Sequence, residues 1–376
     1  MNELLDTPGI ADEYIPLPDE APREPARQPL TIRTADELLA MQFDDSDVIL
    51  GDRLLADGQS LVIAAQAGAG KSRLLLQFIA AQVAGRMFLN FTTGRAGMRW
   101  LVLQTENSNR RLQHDLAKLR AWLGNDWAKF NDLVSLHTVE HDMDGFIALD
   151  SPDNRAAVAE LVDRIKPDGI AVDPLNECST GDLNKDVDMR ATVTTLSRIC
   201  KHGNPKRAIL ALHHALTGRA GAVKVMGHDR ASFARNSKAL LAWTRAQINV
   251  APVEGDNNDR LVIACGKTND GREFEPFAVK LNPTTMIYEV DPTVDLSSWQ
   301  AEMTGKPPAK DLSPPVVAQI VAELGRTAGP PRKVKIIKEL MADTGCGKSA
   351  AYDAVDRATR AKAIHYTKPT KTYVAQ

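Results

Sequence analysis

Short apolar runs alternate with amphipathic stretches of helical period through most of the chain. Leu61, Val62, Ile63 and Ala64 form a buried-strand pattern, and RLLLQFIAAQVAG behind them has helical period. The rhythm repeats: a strand is predicted at 99–105 (RWLVLQT) and a helix at 108–122, a strand at 133–138 (LVSLHT) and a helix at 153–165. It continues with a strand at 169–173 (GIAVD), a helix at 186–201, a strand at 207–213 (RAILALH) and a helix at 231–243. Strands and helices alternating in this way predict an α/β fold with a mainly parallel central sheet and helices on both faces. After residue 245, INVAPV, RLVIACGK, FAVKL and MIYEV are short strands beside turn signals, and they predict an antiparallel extension of the same sheet. TIRTADELLAMQ, ahead of the first strand, reads as a short capped helix. The Pro- and Lys-rich stretch at 303–315 reads as linker. The domain plan is a tail at 1–30, a large α/β domain at 31–295, a linker at 296–315 and a small domain at 316–376.

Composition changes this picture at the two ends. Overall the 376 residues carry 43% hydrophobic and 25% charged side chains and a formal charge of −2, ordinary for a globular protein and not that of an electrostatic nucleic-acid binder. Residues 1–30, however, hold seven acidic and two basic residues with six prolines, which predicts a disordered tail. Residues 306–376 hold thirteen Lys/Arg against six Asp/Glu, so a polyanionic partner is expected there. The four cysteines are far apart with no C-x-x-C, against a zinc site or a disulfide framework. With no signal peptide and no apolar run near 18 residues, a cytoplasmic protein with no membrane partner is expected.

The chemistry sits between the first buried strand and its helix. Gln66, Ala67, Gly68, Ala69, Gly70, Lys71, Ser72 and Arg73 form a Gly-rich turn that opens a helix. Such a loop cradles phosphates with backbone N–H groups, a lysine reaches the β/γ-phosphates, and a serine hydroxyl ligates Mg²⁺. ATP and Mg²⁺ are the expected cofactors, although Ala65 stands where the strict motif has Gly. A second stretch, ADTGCGKS at 342–349, fits the relaxed pattern but follows a helical segment, and it is read as a turn between two helices. Asp173, at the end of GIAVD and ahead of Pro174, is placed to support the metal. Glu106, just past WLVLQT, is placed to activate water, and His213 or His214, ending RAILALHH, to sense the γ-phosphate.

Taken in order, LVIAAQAGAGKS, GRMFLNF, WLVLQTENS, GIAVDP, LALHHALTG, DRASFARNSKALLAW and CGKTNDGREF resemble the RecA-fold ATPases of the RepA type, the hexameric replicative helicases of plasmids, phages and integrated elements. Within the fold the chain is also similar to DnaB and RecA, and the resemblance covers about residues 32–290. It implies a RecA-like P-loop NTPase assembled as a homo-oligomer, a hexamer. Lys71 and Ser72 hold phosphate and Mg²⁺, Glu106 activates water, Asp173 supports the metal, and His213 or His214 is the sensor. Arg230 matches an arginine finger that enters the neighbour's site, with Arg235 as the alternate; Lys267 matches a second finger, Asn269 standing where a further cation is expected and Arg272 being its substitute. The loops at 177–187 and 216–229 would face a pore and touch single-stranded DNA through Lys185, Arg219 and Lys224, though neither carries an aromatic side chain for stacking.

The C-terminal stretch reads as three helices and a strand pair, a winged-helix outline. MADTGCGKSAAYDAVDRA resembles helix-turn-helix sequences, so Lys348, Ser349 and Tyr352 would start a recognition helix, with Lys368 and Lys371 in the wing. Its partner would be duplex DNA or another replication protein. The whole reads as a ring-forming DNA helicase or translocase of a mobile element; the alternative is a nucleotide-switched DNA-binding regulator or replication adaptor that does not unwind.

Overall fold

The structure, a computed structural model, describes residues 31–375 apart from 43, 141–146, 217–220, 235–237, 256, 305–311 and 345. The acidic tail at 1–30, Arg219 and Arg235 lie outside the described residues. The chain divides into two units, Met1–Asp45 and Ser46–Gln376. In the first, helix α1 (Ala35–Leu39) starts at a reciprocal cap: Glu37 N–H donates to Thr34 Oγ1 at 3.2 Å, and Thr34 N–H donates to the Glu37 carboxylate at 2.7 Å.

The second unit is built on one nine-stranded sheet. A small hairpin, β1 (Val48–Leu50) and β2 (Leu55–Ala56), leads into β3 (Ser60–Ala65), and helix α2 (Lys71–Ala84) follows. Then come β4 (Trp100–Gln104), α3 (Asn109–Leu123), α4 (Trp127–Leu133), β5 (Val134–Leu136), α5 (Pro152–Ile165), β6 (Gly169–Asp173), α6 (Asp186–Lys201) and β7 (Ala208–His214). The sheet closes with β8 (Ala246–Glu254), β9 (Asn257–Thr268), β10 (Phe277–Leu281) and β11 (Tyr288–Val290), in the order β11-β10-β9-β8-β3-β7-β6-β4-β5. From β8 to β5 every pairing is parallel, and β9, β10 and β11 extend the sheet antiparallel. This is the α/β architecture with a mainly parallel sheet that the strand–helix rhythm predicts.

Both faces of the sheet are covered, so its central strands are buried throughout, and strand alternation sorts their side chains between two cores. Leu61 and Ile63 join Leu74, Leu75 and Phe78 of α2 on one face, while Val62 and Ala64 face the core that holds Val158 of α5 and Leu196 of α6. Trp100 lies edge-on to Phe78 at 5.7 Å, with its indole N–H donating to Gln82 at 2.9 Å. The ring spans the next strand at Gly169, where a Cβ would stand 2.6 Å from it; only glycine lets β4 and β6 pair with that indole between the layers.

Two segments depart from the pattern reading. Residues 231–243 are not one helix: Arg230–Ser232 make a single 3₁₀ turn, Phe233 and Ala234 are not helical, and Lys238–Trp243 is a separately described helix. Between them Phe233 is fully buried and its carbonyl accepts from Leu216 N–H at 3.1 Å, while Ala234 bridges Ala215. That tie to the exit of β7 overrides helical propensity. In the span read as linker, Leu296–Thr304 is a helix, because Trp299 buries against the sheet and donates its indole N–H to the Val253 carbonyl at 3.0 Å.

At the C-terminus, helices Pro314–Ala328, Lys333–Thr344 and Lys348–Arg360 precede a hairpin of β12 (Ile364–Thr367) and β13 (Thr372–Ala375). They enclose a core of their own, with Val317, Ile336, Leu340, Val355 and Tyr373 buried together. The GCGKS segment joins two helices, with Gly347 extended at φ −70° as the cap of the second, so no buried strand leads into it. All four cysteines are free thiols. No helix among the described residues is long and apolar enough to cross a membrane.

Candidate nucleotide site

In a parallel sheet the C-terminal strand ends share one edge, and ligands bind there. Here register places four such ends side by side: Ala65 pairs His214, and Gln104 pairs Asp173. The loop after Ala65 returns the chain into α2 through Gly68 (φ 75°) and Gly70 (φ 73°), both in the left-handed region that glycine tolerates. Gly70 is constrained twice, since the Tyr288 hydroxyl of β11 occupies the place a Cβ would take. Tyr288 is held there by Gln77, whose amide donates to the Tyr288 carbonyl at 2.8 Å and accepts its N–H at 2.9 Å. Burial pushes the Tyr288 phenol up to about 12, so it stays neutral above the loop.

Lys71 is buried and folds back on its own loop, donating to the carbonyls of Gln66 at 3.0 Å and Ala65 at 3.4 Å. Its ammonium also meets His214 Nδ1 at 3.4 Å. An ammonium only donates, so Nδ1 accepts, and the imidazole presents Nε2–H to Glu106, whose carboxylate lies at 3.5 Å. A chain Lys71–His214–Glu106 thus spans the site. Burial lowers the Lys71 pKa against the opposing pull of Asp173 and Glu106. The His214 hydrogen bond, ahead of all else, lowers that of Glu106.

Asp173 is 2% exposed, and burial lifts its carboxyl to about 6, with the Ser72 hydroxyl bonded to it and pulling the other way. Its Oδ1 has no hydrogen-bond partner among the described residues. A buried carboxylate oxygen beside a serine hydroxyl fits a hard divalent cation such as Mg²⁺, which prefers oxygen ligands and keeps several of its waters. Among the described residues there is no cluster of three or more His, Cys, Asp or Glu, so a protein-only metal cage is not what this site resembles.

The buried charge has a pH signature. The folded-state pKa of Asp173 lies above its ordinary 3.8, so the native chain holds a proton that the unfolded chain has released, and stability falls as pH rises from about 4 to about 6. Two units correspond to about 3 kcal/mol. In the nucleotide- and metal-free protein, Asp173→Asn is therefore expected to flatten the denaturant-midpoint profile over that range and to raise stability at pH 7. A profile parallel to that of the parent chain would show that the carboxyl is not raised.

The remaining predicted residues are placed as follows. His213 lies on the other face of β7, with Ile209 and Ala211, so strand alternation turns it away from Lys71; His214 is the one that touches Lys71 and Glu106. Lys267 is not brought to the site. Its ammonium holds the carbonyls of Leu241 (2.5 Å) and Thr244 (2.6 Å) at the end of helix Lys238–Trp243, and burial lowers its pKa. Arg230 pairs with Glu273, and its carbonyl accepts from Asn249 at 2.8 Å. Arg73 lies at 3.7 Å from Asp115 and is hydrogen-bonded to Tyr288. Lys185 is exposed and Lys224 half-buried, both on loops. Lys348, Lys368 and Lys371 are exposed on the C-terminal unit, and Tyr352 lies under Lys333 at 5.3 Å.

Pattern reading misses two residues of this edge. Gln104 is 2% and Asn107 6% exposed, and the Asn107 amide donates to Ser72 Oγ at 3.4 Å. The available signal is a glutamine ending an otherwise apolar strand, WLVLQ.

The model of the AAA domain family matches residues 24–220. No curated protein matches the chain. Among similar solved structures is a KaiC-like protein from the hyperthermophilic archaeon Pyrococcus horikoshii OT3, 13% identical, with 66% of this chain and 97% of that chain covered at a TM-score of 0.42. The family match takes in the phosphate loop, Glu106, Asp173 and His214 and spans just over half of the residues: the chain belongs to the AAA domain family and is a P-loop ATPase.

Proposed function

We propose that this ATPase is a ring-forming translocase on single-stranded DNA, a helicase of mobile-element replication. The observation that carries the reading is His214. It touches both Lys71 and Glu106, and it is the last residue of β7, ahead of the loop that bears Lys224. A side chain so placed converts a change at the phosphates into movement of a polar loop. Lys185, in the loop after Asp173, is the matching contact from the next strand. Both would bind DNA phosphates.

In this reading Lys71 leaves the carbonyls of Gln66 and Ala65 for the β/γ-phosphates, and Glu106 orients the attacking water and takes its proton. Ser72 and Asp173 would hold Mg²⁺, which when bound supplies charge neutralisation at the phosphates. Arg230 serves the neighbouring subunit's phosphate rather than its own, so ATP lies between subunits and hydrolysis depends on assembly, as a hexamer.

The C-terminal unit favours a second reading, a nucleotide-switched DNA-binding regulator or replication adaptor. It has its own core and three helices followed by a hairpin, with Lys348, Lys368 and Lys371 exposed; read as a winged helix, it would take duplex DNA or another replication protein as its partner. ATP turnover with and without single-stranded DNA, over a range of protein concentration, separates the two. A turnover rate per subunit that rises with both is expected for the translocase. A rate indifferent to DNA would transfer the function to the C-terminal unit.

A further inference from the structure

We propose that Asn107 is a positioning residue that fixes the Ser72 hydroxyl for the cation of bound nucleotide; this rests on the Mg²⁺–ATP reading of the site. Asn107 carries a primary amide into an edge of the sheet where it is 6% exposed, and its main chain is locked by one side chain. Gln104 Oε1 accepts from Asn107 N–H at 2.8 Å, and Gln104 Nε2 donates to the Asn107 carbonyl at 3.2 Å. The second Nε2 proton goes to the His137 carbonyl at 3.1 Å, and the Gln104 main-chain carbonyl is engaged by His137 Nδ1 at 2.8 Å. Gln104 therefore has a single amide orientation, and it clips residues 104 and 107 together so that the chain arches between them, with Thr105 buried and Glu106 exposed at the tip. Thr105 N–H anchors the arch to the Asp173 carbonyl at 3.0 Å.

The consequence falls on Ser72. A serine hydroxyl has one proton and two lone pairs. The Asp173 carboxyl, whose pKa that hydroxyl draws down, is the acceptor beside it. The Asn107 amide N–H, at 3.4 Å, takes one lone pair. A lone pair is left for the cation, and the Asn107 bond narrows its direction, which is the preorganisation that a metal ligand gains from groups behind it. Because Gln104 sets Asn107 and the intervening Glu106 together, the hydroxyl for the cation and the carboxylate for water are indexed to the same clip.

The test is binding of a fluorescent ATP analogue to the full chain, titrated with Mg²⁺ and repeated in chelator, for the parent, Asn107→Ala, Ser72→Ala and the double variant. Asn107→Ala is expected to bind the analogue in chelator as the parent does, and to need about 10–100-fold more Mg²⁺ for the metal-dependent gain in affinity. In the Ser72→Ala background the same change is expected to add less than about twofold, because Asn107 acts through that hydroxyl. An unchanged Mg²⁺ midpoint in Asn107→Ala, or an effect that adds in full to that of Ser72→Ala, overturns the proposal and leaves the nucleotide site standing. Failure of the parent chain to bind the analogue overturns both. If Asn107→Ala also weakens binding in chelator, the double variant decides.

Discussion

Glu106→Gln is expected to bind ATP as the parent chain does and to hydrolyse it about 10²–10⁴-fold more slowly, the usual worth of a positioned general base. Two features of the site carry that expectation. Glu106 is the half-exposed tip of the arch between Gln104 and Asn107, so it reaches the strand edge without being part of the phosphate loop. Its carboxylate is also kept ionised by the His214 hydrogen bond, which lowers its pKa, so it is in the basic form at neutral pH. The amide keeps the shape and can still accept from His214, while losing the capacity to take a proton. Single-turnover phosphate release measured beside equilibrium binding separates the two effects. Hydrolysis within tenfold of the parent would remove Glu106 from the role and return the question to which group orients water.

Lys71→Ala is expected to remove hydrolysis altogether, by at least the about 10²–10³-fold that one preorganised charge donor contributes, and to weaken nucleotide binding as well. The loss is larger than that of an exposed lysine because Lys71 is buried and faces both Asp173 and Glu106. Without it those carboxylates repel each other with only the weaker pull of Arg111 to offset them, and His214 Nδ1 loses its donor. Steady-state turnover and analogue binding read the two losses, and turnover like that of the parent would sink the assignment of this loop to phosphate. The contrast is diagnostic: one variant separates binding from chemistry, and the other loses both.

The phosphate loop is legible in the sequence because its chemistry is local. Strand, glycines, lysine and serine are consecutive, and each strand–helix pair behind them repeats a period set by burial. Asp173 is legible for the same reason, as a charge that ends an apolar run. The choice between His213 and His214 is not, because it depends on strand parity relative to α2, which appears only once Ala65 is paired with His214. The Arg230 region is misread since Phe233 and Ala234 are drawn to the exit of β7 by contacts with residues 215 and 216. Gln104, Asn107 and Tyr288 escape detection because their meaning lies in whom they meet: a serine 35 positions away for Asn107, and for Tyr288 a glutamine 211 positions away.

Trp299 has a mechanical consequence. Its helix, Leu296–Thr304, begins shortly after β11, the strand whose Tyr288 sits above Gly70. Any tension on the chain beyond Thr304 runs back along the covalent backbone toward that tyrosine. The indole, pinned to the Val253 carbonyl at the far end of β8, intercepts it first and hands the load to the sheet. The anchor works as a strain relief on a cable: a pull on the chain beyond Thr304 is taken up at the indole before it reaches the phosphate loop.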